Sequence, residues 1–117
     1  MKLPPAIHGV LDYATVAGFA ALPTLSGLEG EPAQVCYGLA GIHLFMTLVT
    51  RFPMGVVKLL PLPLHGAIEF LVGPALIALP WVRHYDQDPV ARNVFIGAGA
   101  VIFVVWLLSG YRVERRD

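Results

Sequence analysis

His8 and Asp12 stand four residues apart, and so do His65 and Glu69. On a helix that spacing puts both members on one face, one turn apart, within hydrogen-bond reach. A histidine beside a carboxylate can relay a proton, hold a metal ion or fasten two helices. A further histidine, His43, lies in another apolar stretch. A carboxylate in mid-membrane costs about 3 kcal/mol on insertion scales, so such a group must pair, take up a proton or meet water. The candidate site is therefore His8, Asp12, His43, His65 and Glu69.

The two pairs belong to an internal repeat. Pro4 to Pro23 slides onto Pro61 to Pro80 by 57 places, matching His8 with His65, Gly9 with Gly66, Asp12 with Glu69 and Tyr13 with Phe70. A glycine after each histidine would let another helix or a ligand come near. A later segment repeats with a shift of 58, placing Tyr37 on Phe95, Gly41 on Gly99 and Phe45 on Phe103. Val101 falls where His43 stands, so His43 has no repeat mate. Gly38, Gly41, Gly97 and Gly99 read as faces where helices pack closely, because small residues drive association in lipid.

The elements that carry these residues are four apolar stretches: Leu3–Leu25, Gln34–Thr50, Leu60–Val82 and Asn93–Tyr111. A membrane-spanning helix needs roughly 17 to 25 residues. Prolines 4, 5, 23, 32, 53, 61, 63, 80 and 89 mark their limits, and Gly73-Pro74 predicts a kink within the third. The fold expected is all-α, a four-transmembrane-helix bundle of two tandem parallel two-helix repeats. It forms a single integral membrane domain over 1–117, with unit one at 3–52, unit two at 60–111 and a basic tail at 112–117. His43, Asp12 and Glu69 then share a depth in the cytoplasmic half.

Composition supports that solvent. Apolar residues make up 56% and charged residues 14% of the chain, against roughly a quarter charged in soluble domains. Zero net charge gives no ground for nucleic-acid binding, and one cysteine, Cys36, excludes an internal disulfide and a multi-cysteine metal cluster. Lysine and arginine favour the amino end, the middle loop (Arg51, Lys58) and the tail (Arg112, Arg115, Arg116) over the loops holding Arg83 and Arg92. Both termini are thus expected in the cytoplasm. His8 and Asp12 interrupt the apolar run a signal peptide would need, so the first segment reads as retained. Trp81, Tyr111 and Arg112 read as interfacial anchors, and Arg83 to Asp88 as a solvated outer loop.

Leu79-Pro80-Trp81-Val82, with Ala91-Arg92-Asn93, Gly97, Gly99 and Trp106, resembles the SPW repeat, a bacterial two-helix membrane repeat named for a Ser-Pro-Trp motif. Leu79 replaces the serine, and unit one reads Leu22-Pro23-Thr24 without the tryptophan. The resemblance implies architecture and residence in the bacterial inner membrane, and no activity.

Three readings of the cluster follow from its residue types. It is a structural tie in an assembly module, with the bilayer, a homo-oligomer or a membrane protein as partner. It is a proton- or ion-handling site, or it binds a metal ion or haem through His8, His43, His65, Asp12 and Glu69. No cofactor is required by the sequence, and H-E-x-x-H is absent. Nor is there a nucleophile elbow or a phosphate loop, and Ser26 and Ser109 have no base nearby in sequence, so nothing marks an enzyme.

Overall fold

A computed structural model describes residues 3–109. Among them the protein is all-α, with four helices: α1 (Pro5–Ser26), α2 (Gly30–Leu48), α3 (Leu62–Val82) and α4 (Pro89–Leu108). Local chemistry sets most of the ends. Pro5 and Pro89 occupy first helical turns, where a missing amide costs nothing, and Asp88 accepts from the amides of Val90 and Ala91 at 3.1 and 3.3 Å. Gly27, in the left-handed region at φ 76°, closes α1.

Several boundaries differ from the reading of the prolines. The helices run through Pro23, Pro74 and Pro80. Pro23 and Pro80 stand in the last turn, where little of the helix remains to be disrupted. Pro32 lies in the first turn of α2, which begins at Gly30, four residues ahead of the apolar stretch. The Asp88 cap likewise starts α4 at Pro89.

α1 packs along α2, and α3 along α4, most extensively. Glycine approach is selective. A Cβ on Gly99 would meet the Gly73 carbonyl and Ile77, so here α3 and α4 come together, whereas Gly38, Gly41 and Gly97 face open space. The packing role read for those three is not one they play within this chain. One half of the bundle holds an apolar core that includes Phe19, Cys36, Leu76, Tyr85, Phe95 and Ile102. Between α1 and α4 an apolar groove of about 520 Å³ runs past Thr15, Gly18, Asn93 and Gly97.

α3 and α4 are long and apolar enough to cross a membrane. α1 and α2 match them in length, at 22 and 19 residues, but carry His8 and Asp12, and Glu31, Gln34 and His43. Many large apolar side chains point outward, Ile42, Phe45 and Leu71 among them, while the most buried residues include histidine, aspartate and glutamate.

At the polar end, the segments after α2 and α4 dock beside the starts of α3 and α1. Leu3 bridges Ser109 and Leu60 bridges Thr50, each in parallel. The Leu3 amide reaches the Leu108 carbonyl, and the Leu60 amide the Val49 carbonyl, at 2.5 and 2.7 Å.

Candidate metal centre

Five side chains from three helices converge. His8 and Asp12 come from α1, His43 from α2, and His65 and Glu69 from α3; all are buried. The four-residue spacing turns each His–acid pair inward together. Seven residues of helix precede both Asp12 and Glu69, a rise of about 10 Å, which gives the two carboxylates a common depth.

Every close approach is made by an Nε2 atom. His8 Nε2 lies 3.1 Å from Asp12 Oδ2 and 3.2 Å from Glu69 Oε1. His65 Nε2 lies 3.0 Å from Asp12 Oδ2 and 3.1 Å from Glu69 Oε2. His43 Nε2 stands farther off, 3.4 Å from Asp12 Oδ1 and 3.9 Å from Glu69 Oε2. One ligand atom each from His8, Asp12, His65 and Glu69 can be chosen so that all four fall within 4.8 Å of one another.

The opposite ring nitrogens explain this orientation. His8 Nδ1 is 2.6 Å from Ser109 Oγ, whose proton is given to the Val105 carbonyl at 2.6 Å. His65 Nδ1 is 2.7 Å from Thr50 Oγ1, whose proton goes to the Met46 carbonyl at 2.5 Å. A hydroxyl has one proton to donate, so each oxygen must accept from the histidine. Both rings therefore carry hydrogen on Nδ1, and in the neutral imidazole Nε2 presents a lone pair to the cluster.

A lone pair facing a carboxylate oxygen at 3 Å repels unless a proton or a metal ion lies between them, and His65 Nε2 already makes one hydrogen-bonding contact of this kind, with Glu69 Oε2 at 3.1 Å. Asp12 Oδ2 and His43 Nε2 are buried without a hydrogen-bond partner, although Asp12 Oδ2 lies 3.1 and 3.0 Å from the Nε2 atoms of His8 and His65. Buried polar atoms of this kind call for an explanation, and a bound ion is one.

The loop after α2 closes the site from below. Phe52 is buried, with its ring 6.4 Å from His8 and 5.8 Å from His65. Tyr13 donates to the Met54 carbonyl at 2.8 Å, and a Cβ on Gly9 would collide with Met54. Among the described residues, what approaches Gly9 is thus this loop and not another helix.

Sequence reasoning missed Thr50, Phe52 and Ser109. Ser109 has no base near it in sequence, but folding brings it to His8 across 101 residues. The overlooked signal is a hydroxyl residue ending each repeat unit.

Of the interfacial candidates, Trp81 is half exposed near the end of α3, and Tyr111 and Arg112 lie outside the described residues. The outer loop is more structured than a solvated turn. Arg83 donates twice to Glu31, at 2.7 and 2.8 Å, and the Tyr85 hydroxyl also donates to Glu31 while its ring packs on Phe95. Burial, then the Glu31 carboxylate, push the Tyr85 phenol up to about 12. Comparison with protein-family models, with curated proteins and with solved structures finds no match to this chain.

Proposed function

We propose that this chain is a small four-span membrane protein of the bacterial inner membrane whose buried His/acid cluster binds one transition-metal ion. The observation that carries the metal reading is the convergence of three Nε2 atoms and two carboxylates, with two of the rings locked by Nδ1 hydrogen bonds. Ligand atoms about 2.1 Å from one ion lie about 3.0 to 3.4 Å apart when adjacent. The shortest Nε2-to-oxygen separations here run from 3.0 to 3.4 Å.

Charge agrees with this reading. Two carboxylates and three neutral imidazoles around a divalent ion sum to zero, which removes the main cost of placing acids in lipid. Nitrogen with carboxylate oxygen suits zinc, iron or manganese, whereas calcium and magnesium prefer all-oxygen shells. Haem fits poorly. His8 and His65 Nε2 approach the same Asp12 oxygen, leaving no room for a porphyrin between the rings.

The membrane reading rests on the inverted burial pattern, on two qualifying helices and on helix lengths. Helices of 19 to 22 residues span about 30 Å, the thickness of a hydrocarbon core. The resemblance to the SPW repeat and the paired bridges at the polar end support two like-oriented units. An ion held by α1, α2 and α3 also ties the hairpins together, so the assembly role is part of this reading. The deciding experiment is elemental analysis of the full chain purified in detergent without chelator. About one zinc, iron or manganese per chain is expected. A metal-free protein that takes up no cobalt(II) would sink the proposal.

A further inference from the structure

We infer that His43 is the exchangeable ligand of this centre, and that its coordination position is where a small exogenous donor, such as an anion, reaches the metal. The inference rests on the metal reading above and deepens it.

Three observations set His43 apart from the other histidines. Its Nε2 is the most distant from the carboxylates, at 3.4 and 3.9 Å, and it is buried without a hydrogen-bond partner. Its ring is not clasped: among the described residues no hydroxyl holds it as Ser109 holds His8 and Thr50 holds His65. It is also the most exposed of the three, at 8% against 1% and 0%.

The remaining four residues form a set by themselves. His8, Asp12, His65 and Glu69 supply ligand atoms within 4.8 Å of each other without His43. Two nitrogens and two oxygens suffice to hold a four-coordinate ion. A fifth ligand on an unclasped ring can leave and return with little disturbance of the rest. In metal sites that react or exchange, one position is left open or weakly held, whereas closed sites are structural. The repeat gives a reason for the asymmetry. Val101 is the residue that matches His43 in the sequence repeat, and it is exposed along the α1–α4 groove, so the second unit supplies no counterpart to this ligand.

The test uses the full chain in detergent, loaded with cobalt(II), comparing wild type with His43→Ala, His43→Gln and His65→Ala. Both His43 variants should keep about one cobalt per chain and release it to EDTA about tenfold or more faster. Azide should shift the cobalt spectrum of His43→Ala at lower concentration than that of wild type. Added imidazole should restore the wild-type spectrum and slow the release. His65→Ala should lose most of its cobalt while keeping its helix content. If His43→Gln is folded and as empty as His65→Ala, or keeps wild-type release and azide response, the inference is overturned. A wild type that binds no cobalt overturns the metal reading itself, a different outcome from either.

Discussion

Ser109 Oγ accepts from His8 Nδ1 at 2.6 Å, and the bond joins the far end of α4 to the first turn of α1. The tautomer of the His8 ring, and hence what it offers the cluster, is decided by a residue almost a full chain length away.

That relationship predicts the effect of removing the hydroxyls. Ser109→Ala and Thr50→Val should leave the helices folded while lowering metal affinity about 10- to 100-fold, the usual loss when a ligand's orienting partner is removed. Competition against a chelator of known affinity measures this. An unchanged affinity in both variants would show that the hydroxyls do not orient ligands.

Charge at the site is tested by Asp12→Asn and Glu69→Gln, which keep shape. Each should abolish stoichiometric metal while the protein stays folded in detergent. If the cluster were only a structural tie, amides would still hydrogen-bond, and stability would change by no more than about 1–2 kcal/mol with no metal to lose.

Packing gives a prediction independent of metal. Gly99→Ala pushes a methyl group against the Gly73 carbonyl and Ile77, and should destabilise the α3–α4 pair by about 1–3 kcal/mol. Gly97→Ala enters open space and should change stability by about 0.5 kcal/mol or less. Thermal melts in detergent would separate the two, and equal effects would contradict the described contact.

Tyr85, in the loop between α3 and α4, provides a pH readout. Its phenolate is disfavoured by burial and by Glu31, so the folded protein should show a tyrosine ionising near pH 12, absent in Tyr85→Phe. A folded pKa above the unfolded value of about 10 means this stabilisation is complete below pH 10 and lost as pH rises toward 12. Glu31→Gln should bring the transition down. Absorbance titration at the phenolate band follows it.

Orientation is tested by cysteine labelling in intact cells. Positions near Glu31 and Asp86 should label from outside, and positions near Lys58 only after the membrane is opened. Labelling of Glu31 and Asp86 from opposite sides would overturn the proposed topology.

The helices were legible in the sequence because apolar runs between prolines are local features, and local chemistry forms a helix. The His–acid pairs were legible for the same reason, since a spacing of four residues is a property of one helix. Their ends were less so: Pro23 and Pro80 read as stops, but a proline in the last turn disrupts little. What only the tertiary structure decided is which atoms face which. Ser109 and Thr50 are ordinary residues until the chain closes and their protons are committed to carbonyls of the helices they follow. Only then is each Nδ1 obliged to donate, leaving Nε2 turned toward the acids. The unequal standing of His43 is visible in sequence as a missing repeat mate, but its missing clasp depends on what surrounds the ring. Hydrogen-bond direction is set by every neighbour at once, and residues far apart in sequence become neighbours only by folding.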